Sequence, residues 1–193
     1  LLALGAHATA HALSIGSSEA SGLKENFGTM VKPLHAGLAA RNGVTAALLA
    51  AGGFTASDAA IDGPQGLVAA MSDENRDLSA VLRDLGTRWE IVETGVTVKL
   101  YPSCAATHPS LDAVLDLRRR HGFAADAVES IDVAVDRVTP TVLIYPEPRS
   151  GLEAKFSMQF CLAAAAVAGH LGIDTFDDAR VADPAPSHVS GHA

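Results

Sequence analysis

Basic and titratable side chains stand where helices are predicted to begin. Lys32 precedes Pro33 in the segment GTMVKPLHAG, His35 follows three residues after the lysine, and His108 precedes Pro109. A residue before proline is pushed out of helical geometry, so we expect Lys32 and His108 at or just outside a helix N-cap. Backbone N–H groups are free there and the helix dipole is positive, which favours a bound anion.

Two further lysines belong to the same pattern. Lys155 follows the S-x-x-E capping box of Ser150 and Glu153 at a predicted helix start, and Lys99 lies in VTVKLYP. A cation at a helix start opposes the dipole at a cost of about 0.3–1 kcal/mol, so its repetition favours an anionic ligand. Each side chain alone also fits a role without a ligand: a solvated lysine, a structural His35 or an outward-facing Lys99. The spacing by itself therefore predicts no more than a carboxylate-binding site.

The hydrophobic pattern predicts helices first and a mixed unit afterwards. Residues 1–15 read as an Ala-rich helix, and a second helix begins at Pro33 and ends at Gly52-Gly53. Two β-type runs in WEIVETGVTVKLYP are separated by Thr94-Gly95, which is typical of a hairpin. A helix over HPSLDAVLDLRRRH with Gly122 as its stop follows, and then a half-buried strand in VESIDVAVDRV.

These elements predict an α+β fold in two layers, with part of an all-helical domain followed by an α+β lid domain. Composition changes near residue 75, where the polar stretch DENRDLSAVLRDLG begins to connect the two. The predicted divisions are the end of the helical domain over 1–75, the lid over 76–150, a long helix returning to the core over 151–183, and an irregular tail over 184–193.

Composition excludes several classes of function. The chain of 193 residues has a net charge of −8, which disfavours a nucleic-acid partner. Its two cysteines have no metal or disulfide spacing, so we expect a reduced cytoplasmic compartment. No apolar run is long enough for a membrane span, and neither a nucleotide-binding loop nor a metal motif is present in the sequence.

Three segments together resemble one enzyme family. SSEASGLKENFGTMVKPLHAGLAARNGVTAALLAAGGFTAS, VKLYPSCAATHPSLDAVLDLR and GLEAKFSMQF are similar, in this order, to motifs of the MmgE/PrpD family. That family includes enzymes such as 2-methylcitrate dehydratase, cis-aconitate decarboxylase and iminodisuccinate epimerase. The resemblance implies a large helical domain with an α+β lid. Its members are more than twice as long, so the chain looks like the second portion of such an enzyme.

The resemblance also implies a set of site residues. It places Lys32 and His35 at the active-site cleft and Lys99 and His108 on the lid side, as the catalytic residues. Residues of the same motifs are predicted to bind substrate: Thr29, Cys104, Lys155 and Ser157. Cys104 and Phe160 stand where the decarboxylase-like branch has histidine and tyrosine, which favours a dehydratase or an epimerase.

The implied chemistry is cofactor-free. Lysines would hold the carboxylates of a small polycarboxylate such as 2-methylcitrate, and a histidine would move a proton next to a carboxylate before hydroxide leaves. The alternatives are an epimerase of an iminodisuccinate-like dicarboxylate and a non-catalytic remnant. We also expect a role in propionate metabolism, no metal, no membrane, and a homodimer or a pairing with a missing helical half. Which residue is the base is left open.

Lys32→Ala is predicted to abolish dicarboxylate binding and to leave the fold intact, because the lysine would supply the positive charge at the helix start. Titration calorimetry with succinate- and citrate-like acids checks the binding, and circular dichroism checks the fold. Unchanged affinity in a folded variant would show that Lys32 is a surface lysine.

Overall fold

Helices occupy most of the chain in the computed structural model, which describes residues 2–72, 77–182 and 191–192. In chain order they are α1 Ala6–Ser18, α2 Val31–Ala51, α3 Leu67–Met71, α4 Ser79–Arg83, α5 Glu90–Glu93, α6 His108–His121, α7 Thr139–Val142, α8 Gly151–Ala154, α9 Met158–Ala168 and α10 Asp178–Val181. Short 3-10 turns lie at Lys24–Asn26, Ala105–Thr107, Ala125–Ala127 and Ile173–Phe176. Over the described ranges, the strands are β1 Ile131–Asp132 and β2 Gly191–His192, which pair in parallel. The predicted α+β class is confirmed, with helix dominant.

The chain folds as two compact units. The first consists of Leu1–Leu23 and Pro33–Val96, and the second of Lys24–Lys32 and Thr97–Ala193. The predicted boundary near residue 75 falls on residues 73–76, which lie outside the described residues. The predicted division at 75 and 150 therefore stays a prediction.

Small side chains bring α1 and α2 together in the first unit. Ile15, Ala46 and Ala50 form its buried cluster. The His11 Nδ1 atom accepts the backbone N–H of Ala56 at 3.1 Å and ties α1 to the loop after α2. No helix of the described residues is long and apolar enough to cross a membrane.

The core of the second unit lies between α6 and α9. Leu111 and Val114 of α6 pack with buried side chains of α9 that include Cys161 and Ala165. Burial of these apolar groups drives the docking of the two helices. Burial also raises the pKa of the Cys161 thiol to about 12, so it stays protonated as part of the core.

Arg118 connects the end of α9 to α6. Its Nη1 group donates to the carbonyl oxygens of Ala166 and Val167. The last carbonyl groups of a helix have no partner within the helix, so this arginine satisfies them from outside. Gly169 ends α9 in the left-handed conformation with φ +74°, and Gly122 ends α6 in the same way, as the sequence predicted.

The hairpin predicted in WEIVETGVTVKLYP is wrong. Residues 90–93 are helical as α5, and residues 95–100 form no strand. Val96, Val98 and Leu100 are 75%, 80% and 74% exposed. A strand needs a partner for its backbone groups and a surface for its side chains, and this segment has neither among the described residues.

The single helix predicted over 151–183 is also wrong. The Ser157 hydroxyl accepts the N–H of Phe160 at 3.1 Å, so α9 begins with its own N-cap. The predicted Ser150 cap is present, since its hydroxyl accepts the N–H of Glu153, but the helix that it starts ends at Ala154. The segment is therefore divided into α8, α9, a 3-10 turn and α10.

The predicted strand and tail also differ from expectation. The strand over VESIDVAVDRV is reduced to the two residues of β1. Residues 191–192 of the predicted irregular tail pair with it as β2, and the rest of 184–193 lies outside the described residues.

Gly28→Ala is predicted to lower the melting temperature. Gly28 has φ +80°, and a Cβ atom there would lie 2.4 Å from the Tyr145 ring. Left-handed strain and this overlap together cost about 1–3 kcal/mol or more. Thermal unfolding followed by circular dichroism measures the effect.

The matched control is Gly37→Ala in the interior of α2, where nothing lies within 4 Å of an added Cβ. Alanine is the better helix former, so this variant should gain roughly 0.5–1 kcal/mol. A Gly28→Ala protein at least as stable as the parent would contradict the packing described for Tyr145.

Candidate functional site

The turn between α8 and α9 is contacted by three other segments of the second unit. The N–H of Cys104 donates to the carbonyl of Lys155 at 2.9 Å, and the N–H of Tyr145 donates to the carbonyl of Phe156 at 3.4 Å. The Phe27 ring lies 5.1 Å from the Phe156 ring. The turn thus places three motif segments, which are far apart in the sequence, side by side.

The loop that carries Lys99 folds back on itself. The Lys99 Nζ group donates to the carbonyl of Ser103 at 2.9 Å. The hydroxyls of Ser103 and Thr107 are 2.8 Å apart, and Thr107 donates from both its N–H and its hydroxyl to the carbonyl of Cys104. Ser103 and Thr107 are buried, so this network shapes the loop from inside. The lysine is therefore tied to the loop that leads into α6.

His108 begins α6, and its Nε2 atom is buried without a hydrogen-bond partner among the described residues. An unpaired buried polar atom costs about 1–3 kcal/mol, so it calls for an explanation such as a ligand. The Tyr101 ring meets the imidazole edge-on, with 5.2 Å between the ring centroids. The hydroxyl of this tyrosine donates to Asp112 Oδ1 at 2.6 Å.

The lysines of the second unit form no ion pair with the part of the chain that the structure describes. All four lysines of the sequence belong to this unit. The Lys32 Nζ group lies 6.0 Å from the centroid of the Phe27 ring, and Lys155 Nζ lies 5.7 Å from that of Phe176. Within the described residues, the basic partners of the ion pairs are all arginines: Arg88, Arg119, Arg120 and Arg180. The ammonium groups of Lys32, Lys99 and Lys155 are therefore not neutralised by a described carboxylate.

Seven of the eight residues predicted for the site belong to the second unit, and His35 belongs to the first, where its ring lies beside Gly22. The loop and the turn bring together Lys99, Cys104, His108 and Lys155. Ser157 is fully buried as the N-cap of α9. Thr29 is exposed, and its hydroxyl accepts the N–H of Val31 at the start of α2. The last two side chains thus have capping contacts that the sequence prediction did not include.

Sequence reasoning missed Tyr101 and Asp112. Tyr101 lies in the same KLYP motif as Lys99, and Asp112 follows His108 by one helical turn. Residues i and i+4 share a helix face, so the Asp112 position was available as a signal. The contact between Tyr101 and this face depends on the loop path, which no local pattern predicts.

Models of the MmgE/PrpD N-terminal and C-terminal domains match residues 1–78 and 101–188. The chain belongs to the MmgE/PrpD family. The C-terminal match includes α6 and the turn between α8 and α9, and it begins at Tyr101, two residues after Lys99.

Curated relatives of the chain are named cis-aconitate decarboxylases. The protein of Mus musculus is 29% identical over 180 residues, and that of Homo sapiens is 26% identical over 178; each match covers 90% of this chain and 36% of the relative. The protein of Aspergillus terreus (strain NIH 2624 / FGSC A1156) is 31% identical over 128 residues, covering 63% of this chain and 26% of the relative. The chain thus spans little more than a third of the length of the relatives that it matches.

Tyrosine titration is predicted to report the bond between Tyr101 and Asp112. Burial first, and then the hydrogen bond and charge of Asp112, raise the pKa of Tyr101 to about 12. Burial likewise raises the pKa of Tyr145 above its ordinary value of 10. Tyrosinate absorbance near 295 nm should therefore be small at pH 10 and rise only above it. Since the unfolded chain ionises first, stability should fall as the pH rises above 10.

Asp112→Asn should lower the pKa of Tyr101 part of the way toward 10, because the burial remains. Tyr101→Phe should remove the transition with the higher pKa and leave one tyrosine to titrate. An Asp112→Asn protein with the parent titration curve would show that the bond is not formed in solution.

Proposed function

We propose that the chain is part of a lyase that acts on a small polycarboxylate, with His108 as the residue that moves the proton. The observation that carries the proposal is the Nε2 atom of His108, which is buried, lacks a partner among the described residues, and lies in a family motif. Imidazole exchanges protons near neutral pH, which makes histidine the commonest acid–base group in enzymes.

The lysines supply the second part of the proposal. Lys99 and Lys155 are brought toward the same loop by the bond between Cys104 and the carbonyl of Lys155. Lys32 is tied to this turn through Phe27. In a chain of net charge −8, ammonium groups without a carboxylate partner among the described residues attract anions to this part of the second unit. Substrate carboxylates would be held there, and the negative charge that develops when a neighbouring C–H bond breaks would be stabilised.

Dehydration is the reaction that we favour. A base takes the proton next to a carboxylate, the electron pair of the C–H bond forms the double bond, and the C–O bond breaks as hydroxide leaves and is protonated to water. 2-Methylcitrate is one substrate with the required hydroxyl and carboxylates. The resemblance places Cys104 and Phe160 where the decarboxylase-like branch has histidine and tyrosine, which supports this reaction over loss of carbon dioxide.

Two other outcomes belong to the same chemistry. Reprotonation on the opposite face, without loss of hydroxide, would make the protein an epimerase of a dicarboxylate. Decarboxylation of cis-aconitate is what the names of the relatives state for those proteins. It would break a C–C bond, release carbon dioxide and add a proton to the carbon left behind. We include a homodimer, a cytosolic location and a role in propionate metabolism in the proposal; the two free cysteines support the reduced compartment.

His108→Gln is predicted to lower kcat for the active substrate by about 10²–10⁴-fold, the usual contribution of a proton-transfer group. The protein is assayed for dehydration of 2-methylcitrate and citrate, for release of carbon dioxide from cis-aconitate, and for proton exchange into succinate-like acids. The assay that shows turnover identifies the reaction.

The matched control is His121→Gln, at the exposed C-terminal end of the same helix, which should keep the parent rate. Equal rates for the His108 variant and the parent would remove His108 from the mechanism. No turnover of any of these acids, together with no rise in melting temperature in their presence, would contradict the proposed function.

A further inference from the structure

We infer that Tyr101 and Asp112 act as positioning residues that hold the His108 imidazole in one orientation. The inference rests on the proposed function for its catalytic consequence, and on the contacts of three side chains for its structural content. None of the motifs singled out in the sequence assigned a role to either residue.

The three side chains form a closed arrangement. His108 and Asp112 are separated by one turn of α6, so the helix itself sets the distance between them. Tyr101 comes from the preceding loop and contacts both: its ring lies 5.2 Å from the imidazole at an angle of 85°, and its hydroxyl donates to Asp112 Oδ1 at 2.6 Å. The hydrogen bond fixes the tyrosine to the helix, and the tyrosine ring then limits rotation of the imidazole.

The roles of Tyr101 and Asp112 follow from which of their hydrogen-bonding groups are already engaged. The only proton of the Tyr101 hydroxyl is engaged by Asp112, so the tyrosine is not free to donate to a substrate. Asp112 is exposed, and its Oδ1 atom is occupied by the tyrosine. Tyr101 therefore acts on His108 through packing and Asp112 acts through Tyr101, and neither is assigned contact with reacting atoms.

Orientation matters here because the imidazole Nε2 atom has no hydrogen-bond partner in the described ranges. Catalytic histidines are commonly held by a hydrogen bond to the second ring nitrogen. Here the edge-on ring of Tyr101, which is hydrogen-bonded to Asp112, limits rotation of the imidazole. A proton-transfer group that is free to rotate spends less time in reach of its substrate, and small misplacements cost large factors in rate.

The test uses Tyr101→Phe, Tyr101→Leu and Asp112→Asn in the whole chain, with Asp116→Asn as the matched control. Asp116 lies one turn further along α6 and pairs with Arg119 and Arg120 instead of with the tyrosine. The first readout is the imidazole C–H signal of His108 in a ¹H–¹³C NMR spectrum at fixed pH. It is assigned among the eight histidines by its absence in His108→Gln.

Tyr101→Leu should remove the ring-current shift of the His108 signal. Tyr101→Phe keeps the ring and loses the hydrogen bond to Asp112, and Asp112→Asn leaves only a weaker bond to a neutral amide oxygen. In both variants the signal should therefore move part of the way toward that of the leucine variant. Asp116→Asn should leave it in place. Circular dichroism confirms that each variant is folded. A His108 signal unchanged in folded Tyr101→Phe and Asp112→Asn would overturn the inference, whatever the activity.

The second readout separates this inference from the proposed function. If the protein turns over one of the acids, Tyr101→Phe and Asp112→Asn should lower kcat about tenfold with little change in KM, because substrate binding by the lysines is untouched. A displaced NMR signal with an unchanged kcat would overturn the catalytic consequence alone. If no acid is turned over and none raises the melting temperature, the proposed function fails, and the NMR signal still decides whether Tyr101 and Asp112 position the imidazole.

Discussion

The second unit depends on one short turn, between α8 and α9, that binds three other segments by main-chain hydrogen bonds and aromatic packing. The carbonyl of Lys155 accepts the N–H of Cys104, and the carbonyl of Phe156 accepts that of Tyr145. Backbone groups at a break between helices have no partner in the helices themselves, so they are available to outside segments. The cap at Ser157, which starts α9 afresh, creates this break. A continuous helix would have used the same carbonyl groups internally.

The turn and the α6–α9 core contribute to the fold of the second unit in different ways. Apolar packing of Leu111 against the α9 side chains stabilises the unit but is non-directional. The hydrogen bonds are directional, so they specify which segments are adjacent. Gly28 illustrates the second kind of constraint, because only a residue without a Cβ atom lets the Tyr145 ring approach the backbone there. The candidate site is thus built on contacts that are short and specific and that tolerate little change in size.

Charge is arranged differently for the two basic residue types. Four arginines pair with described carboxylates and Arg118 caps a helix end, whereas the lysines of the second unit contact aromatic rings, hydroxyls and carbonyl groups. Exposed arginine pairs contribute little to stability, about 0–1 kcal/mol each. The four lysines have no carboxylate partner among the described residues. This distribution suits an anionic substrate in a protein whose net charge is negative.

The sequence by itself determined the features that depend on a few neighbouring residues: the caps at Ser150 and Gly122, the helices at Lys32 and His108, and the family motifs. These are local because capping bonds and left-handed glycines act within one turn of chain. The position expected from proline geometry for Lys32 and His108, at or outside the N-cap, is wrong, since α2 begins at Val31 and His108 is itself helical. Only the tertiary structure decided that VTVKLYP is not a strand, that α8 and α9 are separate, and that Tyr101 reaches Asp112 beside a His108 nitrogen without a described partner. Strands need partners and buried polar groups need neighbours, and both are supplied by residues distant in the chain, which periodicity and spacing do not reveal.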